Sequence, residues 1–443
     1  MNTPIVDFVR KNVKCGFSRF HMPGHKGRKI LGAEPFDITE IDGADVLYSP
    51  EGIISDSMKN AAELFGTEAT FYSTEGSTLS IKAMIATAVE GVENPKILAA
   101  RNVHKAFVYA AALLGLEVEW LYNNSGSICE CEISPEMLRE ALKNGGEHIS
   151  AVYVTSPDYL GNILDIEGLS AVCREFDLPL LVDNAHGAYL KFLKSSRHPI
   201  DLGAAMCADS AHKTLPVLTG GGYLHVSKGY SKYAKTAIKK LSLFASTSPS
   251  YLILQSLDLC NKYLFKDYEN RLEKCIENVE KIKELIVRKG FNLKGEEPLK
   301  ITIDTLSGGY TGEQFYAVLK GNKIEVEFYD NDHLVLMVTP ENSHRDFARL
   351  KRVLRKLPKL NPITQETVNL PEPKKIMDIR RSVLGKSITV PIDNSIGEVC
   401  AAPTVSCPPA IPIIVSGEVI TSEAVTVMKK YKITEIDIVK DAN

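Results

Sequence analysis

Ser210-Ala211-His212-Lys213, taken with Asp183-Asn184-Ala185-His186 upstream, has the residue types needed to hold an aldehyde cofactor. A lysine amine condenses with an aldehyde to a Schiff base. A carboxylate facing a pyridine nitrogen keeps that nitrogen protonated, so the ring can accept electrons. The acid closes an apolar run, Leu178-Pro179-Leu180-Leu181-Val182, that reads as a buried strand. The lysine stands just before a glycine-rich turn, Thr219-Gly220-Gly221-Gly222. Acid, histidine and lysine in this arrangement point to pyridoxal 5'-phosphate, which narrows the chemistry to amino acids.

Each residue has an expected role. Lys213 is the Schiff-base lysine, and beside a cationic ring its amine deprotonates more easily than a free lysine's. Asp183 sits at the C-terminal edge of its strand, where open α/β sheets bind ligands. A carboxylate on a pyridinium is a charge-assisted hydrogen bond, worth about 1.5–3 kcal/mol. Alone, the same aspartate serves as an N-cap. His186 can reach the ring's phenolic oxygen or pack as a satisfied core histidine. Gly76-Ser77-Thr78 opens a helix, and free amides with nearby hydroxyls make an anion site there. Without a lysine elsewhere it is a plain helix start; with Lys213 it is the phosphate cradle, to which Ser210 and His212 add donors. His104, in Arg101-Asn102-Val103-His104-Lys105, can lie flat on a cofactor ring or simply begin a helix. Pro23-Gly24 within 21–27 demands a turn. No acid or cysteine stands beside His21 and His25, so no metal site is expected.

Alternating elements must position these groups. Strands are expected at 70–72, 96–100, 118–122 and 151–155, and helices at 55–64, 76–89, 104–114, 135–143 and 166–175. Such alternation implies βαβ units and a mostly parallel sheet. Residues 251–289 read as a long helical spine, interrupted at most once. Beyond Gly290 come a strand at 300–304, a helix at 311–319, strands at 324–328 and 334–338, and a helix at 346–357. The expected organisation is an N-terminal arm (1–35), a large cofactor domain (36–290) and a small α+β C-terminal domain (291–443). A Pro-rich linker lies near 358–373.

The 443 residues suffice for two or three domains. A formal charge of −3 gives no electrostatic case for nucleic acid or an anionic membrane. No apolar run is long enough to span a bilayer, and residues 1–10 do not read as a secretory signal. Nine cysteines, an odd count without zinc-knuckle spacing, read as reduced thiols in the cytoplasm.

Five segments together resemble the ornithine/lysine/arginine decarboxylase family of pyridoxal-phosphate enzymes. They are residues 20–27 (Phe-His-Met-Pro-Gly-His-Lys-Gly), 101–105, 182–187 (Val-Asp-Asn-Ala-His-Gly), 210–213 and 246–251 (Ser-Thr-Ser-Pro-Ser-Tyr). The resemblance covers nearly the whole chain and is to the short bacterial members. It implies the aminotransferase-like (type I) α/β fold and an obligate dimer with its active site between subunits. It assigns Lys213 to the Schiff base, Asp183 to the pyridinium, His104 to ring stacking, and Ser77, Thr78, Ser210 and His212 to the phosphate. The chain also departs from the family. Where many relatives read Pro-Tyr-Pro-Pro-Gly-Ile-Pro, residues 406–412 read Ser-Cys-Pro-Pro-Ala-Ile-Pro. Asp158 replaces a common Thr, and Asn184 a common Glu. These changes fall on the expected substrate pocket, not on the cofactor.

The expected reaction is α-decarboxylation of a basic amino acid. A cationic substrate tail calls for a carboxylate, since an unpaired buried cation is costly; Asp158 and Glu398 are the candidates. Amino transfer, with Arg380 or Arg381 clamping the substrate carboxylate, and a non-catalytic cofactor-binding role stand as the alternatives.

Overall fold

The computed structural model describes residues 1–122, 127–145, 148–364, 372–403, 405 and 409–440. The described chain divides into two compact units, each built from two stretches: residues 1–91 with 166–271, and residues 92–165 with 272–443. The division therefore interleaves along the sequence. The last of the three boundaries falls inside the Tyr251–Arg288 helix, which is broken once, at Asp267 (φ −161°, ψ 27°).

Seven strands lead the chain through the α/β part: β1 (Ala69–Ser73), β2 (Lys96–Ala100), β3 (Glu117–Leu121), β4 (Ile149–Thr155), β5 (Leu180–Asp183), β6 (Met206–Asp209) and β7 (Gly222–Val226). In the first unit the order is β1-β7-β6-β5. There β5 and β6 run parallel, and β7 runs antiparallel to both β1 and β6. In the second unit β4, β2 and β3 are all parallel. Every residue of β5 and β6 is buried, as expected for strands covered on both faces.

The Gly76–Ala88 helix explains how the first unit closes over this sheet. Its sequence, GSTLSIKAMIATA, has no polar stripe, and nine of its residues from Leu79 onward are buried. A helix apolar all round belongs in a core. Its small Ala and Ser side chains let it lie against β6, β7 and the Ser231–Phe244 helix.

The second unit adds a four-stranded antiparallel sheet of β8 (Asn292–Lys294), β9 (Lys300–Asp304), β10 (Phe328–Tyr329) and β11 (His333–Met337), in the order β10-β11-β9-β8. A ribbon of β12 (Ser387–Pro391) and β13 (Glu435–Val439) completes it.

Most elements begin and end within two residues of their expected limits. Three differences remain. Residues 4–15 are a helix, not extended arm: Ile5, Val6 and Val9 recur on one face and are buried, and the Val6 N–H donates to Asp258 Oδ2 at 3.0 Å. The strand expected at 324–328 shrinks to Phe328–Tyr329, because Glu325 and Glu327 stay exposed. Finally, β6, β7 and the 231–244 helix were not anticipated.

Candidate active site

The first unit brings together, at one end of its strands, most of the residues singled out by their chemistry. β5 ends at Asp183, which is 2% exposed. Its Oδ1 accepts a hydrogen bond from the Ala185 N–H at 3.1 Å, which tightens the turn beyond the strand. β6 ends at Asp209, and the one-turn helix Ala211–Thr214 follows, carrying His212 and Lys213. Lys213 is half-buried. Its Nζ lies 3.1 Å from Nε2 of His186, which is buried on the loop beyond β5.

A second cluster forms around the start of the 76–88 helix, where no side chain caps the first turn. The Ser210 hydroxyl donates to Ser77 Oγ at 2.8 Å, so the two expected phosphate-binding serines stand side by side. His212 Nδ1 pairs with the Gly221 carbonyl at 2.9 Å, and burial pushes the His212 pKa down. A carbonyl oxygen only accepts, so Nδ1 carries a proton.

Two glycines make this approach possible. Gly76 has φ +67° and donates its N–H to the Gly220 carbonyl at 2.7 Å. A Cβ on Gly222 would stand 2.9 Å from the Asp209 carbonyl oxygen and 3.1 Å from the Gly76 carbonyl carbon. Helix start, β6 and β7 thus meet backbone to backbone, and this is the spacing a phosphate cradle needs. The donors and acceptors fit pyridoxal phosphate: a half-buried amine, a buried carboxylate for a ring nitrogen, and an uncapped helix start with two hydroxyls for a phosphate.

The remaining expected residues belong to the second unit. His104 caps the Lys105–Leu114 helix, its Nδ1 accepting the Ala106 N–H at 3.1 Å. The neutral ring therefore keeps its proton on Nε2. Sequence reading missed the partner of the neighbouring Arg101, which is Glu418. Their ion pair spans 3.1 Å, and Arg101 also donates to the carbonyls of Pro412 and Ile413. Nothing local signals a contact between residues 317 positions apart. Burial pushes the Glu418 carboxyl up, and Arg101 opposes the rise. The Lys105 N–H donates to the carbonyl of Ala410 at 3.0 Å. Of the altered 406–412 segment, residues 406–408 lie outside the described residues.

Arg380 reaches the carbonyls of Ala112 and Leu113, at 3.4 and 2.9 Å, and so closes the end of the 105–114 helix. Glu398 is exposed. Asp158 is buried and engaged in its own turn: Oδ1 accepts from the N–H groups of Leu160 and Asn162, and Oδ2 from Asn162 Nδ2 at 2.7 Å.

Burial pushes the Asp158 carboxyl up to about 6, against the pull of Asn162 and Lys300. A carboxyl whose folded pKa is raised favours the fold while protonated. Its contribution is complete below the unfolded value of about 4. It is lost as the pH rises through about 6. We predict that wild type loses roughly 2–3 kcal/mol relative to Asp158→Asn between pH 4 and 7. Urea unfolding of both proteins across that range checks this; parallel curves would refute it.

Comparisons with known proteins give the family and the fold. The family model described as "Orn/Lys/Arg decarboxylase, major domain" matches residues 3–342. An arginine decarboxylase of Bacillus subtilis (strain 168) is 30% identical over 462 residues, covering 97% of this chain and 93% of that protein. An arginine decarboxylase of Halalkalibacterium halodurans is 29% identical over 453 residues, covering 95% and 91%. Among solved structures, the Francisella novicida lysine decarboxylase LdcF superposes with a TM-score of 0.82 over 99% of this chain and 81% of that one. At 18% identity this likeness shows the fold, the type I aminotransferase-like architecture. With the family model spanning most of its length, this chain belongs to the Orn/Lys/Arg decarboxylase family and is a pyridoxal-phosphate-dependent amino-acid decarboxylase.

Proposed function

We propose that the protein removes the α-carboxylate of a basic amino acid (arginine, lysine or ornithine) as CO2, leaving agmatine or a diamine. The observation that carries this reading is the convergence, within one unit, of Lys213, Asp183 and the Ser77–Ser210 pair. Bound there, pyridoxal phosphate supplies a sink for the electrons released when the Cα–carboxylate bond breaks. Lys213 would hold the cofactor covalently. Asp183 would keep the ring nitrogen's proton in place. Gly76, Ser77, Thr78, Ser210 and His212 would hold the phosphate, and His186 sits beside the lysine nitrogen. His104, with its proton on Nε2, would lie against the ring. His104, Lys213 or a water would return a proton to Cα. For the substrate's cationic tail, Asp158 is already committed to its turn, which favours Glu398 of the two candidate carboxylates.

The test is a panel of arginine, lysine and ornithine, with CO2 measured and products identified by mass. An amine one carboxylate lighter than its substrate is the expected result. A keto acid would mean amino transfer, and cofactor binding without any turnover would mean a binding role; either overturns the reading.

The protein is further proposed to act as a homodimer in the cytoplasm. Phe20 and Leu31 are 96% and 94% exposed, and Phe17, Met22 and Ile30 are exposed with them. A second copy of the chain would cover such exposed apolar side chains. Phe20→Asp with Leu31→Asp should raise the dimer dissociation constant at least about tenfold, the loss expected for one large buried apolar side chain. Sedimentation velocity decides this: an unchanged dimer would count against the interface. The described cysteines are free thiols, all but Cys15 buried, which supports a reducing compartment. No helix among the described residues is long and apolar enough to cross a membrane.

A further inference from the structure

Behind the site lies a buried polar cluster that the proposed chemistry does not use. Its centre is Asp209, fully buried. Asn184 Nδ2 donates to Asp209 Oδ1 at 2.7 Å. His198 Nε2 lies 3.0 Å, and His225 Nε2 3.3 Å, from Oδ2. Both imidazoles are fully buried, with the Phe65 ring packed against them. From His225 the network continues through Nδ1 to Thr70 Oγ1 at 2.8 Å and on to Thr67 at 2.9 Å. Burial alone would raise the Asp209 carboxyl, but the two histidines more than offset it and hold the group well below the usual range. Asp209 is thus an ionised carboxylate wired into the ends of β5, β6, β7 and β1.

Its place in the chain gives it a use. Asn184 directly follows Asp183, and Asp209 directly precedes Ser210. Asp183 pairs with Ala208 across the two strands. Side chains alternate between the faces of a strand. Asp183, Ala208 and Ser210 therefore share one face, and Asn184 and Asp209 occupy the other. The Asn184–Asp209 bond ties the two strand ends together from behind.

We propose that Asp209, held by His198 and His225, is a positioning residue that acts through Asn184 to set the separation between Asp183 and the Ser210–Lys213 turn, and so the affinity for pyridoxal phosphate. This rests on the functional reading above. A cofactor bound at its ring nitrogen and its phosphate requires those two anchors at a set spacing. Without the tie, the strand ends are joined by the backbone alone, through the Asn184 N–H to the Ala208 carbonyl at 3.0 Å, and the Ser210–Lys213 turn beyond loses its side-chain link to β5.

The experiment is a double-mutant cycle in the full-length protein with Asp209→Asn, Asn184→Ala and the pair combined. Pyridoxal phosphate affinity is titrated by visible absorbance, the circular dichroism of the bound cofactor is recorded, and thermal unfolding is followed without cofactor. Each single variant should weaken binding roughly tenfold to a hundredfold, the loss for one buried hydrogen bond to a charged group. The double variant should be no weaker than the worse single, because both act through one link. The cofactor dichroism should fall in step, while Asn184→Ala, which keeps the Asp209–histidine contacts, should lower the cofactor-free unfolding temperature only by the few degrees that one buried hydrogen bond costs. If Asp209→Asn does not fold, Asn184→Ala alone decides. Wild-type affinity in Asn184→Ala, or losses that multiply in the double variant, would overturn the proposal. The ligand atoms of His198, Cys207 and Asp209 also lie within 4.8 Å of one another. A stoichiometric transition metal in purified protein, lost in Asp209→Asn, would make the cluster a metal centre and overturn it too. Wild type that takes up no pyridoxal phosphate would instead defeat the functional reading, and this inference with it.

Discussion

Lys213→Ala should lose decarboxylation by on the order of a thousandfold or more, as when a covalent-catalysis group is deleted. The protein should still fold. Lys213 is half-buried on a one-turn helix whose buried anchors are Ala211 and Thr214, and neither depends on the lysine side chain. What the variant loses is the amine 3.1 Å from His186, and with it the covalent hold on the cofactor. Turnover, visible absorbance and thermal unfolding should therefore separate: the first two lost, the third little changed. A small primary amine added in excess should restore part of the rate, since it can substitute for the missing group without the benefit of being tethered. Wild-type turnover in the alanine variant would remove Lys213 from the chemistry. Loss of folding together with activity would leave the comparison to Lys213→Arg, which keeps the charge and length but not a nucleophilic amine. An active arginine variant would be equally fatal to the assignment.

Asp183→Asn should cost roughly a hundredfold to a thousandfold in rate, the range for removing one preorganised electrostatic partner from an active site. The side chains are nearly the same size. The amide oxygen can still accept the Ala185 N–H that Asp183 Oδ1 now accepts, so the turn beyond β5 should persist. The negative charge disappears from a place where it is 2% exposed and little screened. A ring nitrogen opposite it would lose its proton, and the electron sink would weaken. The loss should appear in kcat more than in KM, because the charge matters most as electrons move. Steady-state kinetics on whichever basic amino acid proves to be the substrate provides the check. A variant near wild type would mean that some other group partners the ring nitrogen.

Much of the site was legible because its parts are local motifs. The apolar run before Asp183 declares a buried strand ending in an acid. The small residues after Gly76 declare a helix start, and Ser-x-His-Lys ahead of three glycines declares a tight turn. Each depends on neighbours a few residues away, so sequence spacing carries the information. The pairing of Ser210 with Ser77, by contrast, joins residues 133 positions apart. The Asp209 cluster gathers Thr70, Asn184, His198 and His225 from four separate segments. In the sequence Asp209, His198 and His225 drew no attention. Only the antiparallel register that sets Cys207 against His225, and Thr70 against the same histidine, makes them neighbours.

Asp158 shows what residue type leaves open. A lone acid near a strand end invites a substrate role, and here the chain turns back within four residues, so that two backbone N–H groups bond Oδ1 and the Asn162 side chain bonds Oδ2. Backbone direction, unlike residue type, is not written at a single position.

The amino-acid order alone determined the family and the α/β class, and it singled out the lysine and the acid proposed for the cofactor. These follow from short patterns whose physics is complete within a few residues. The interleaving of the two units, the burial of the first helix and the carboxylate tie behind the cofactor residues were decided by the tertiary structure. Those features depend on which distant segments share a core, and that is settled by packing and strand register over the whole chain.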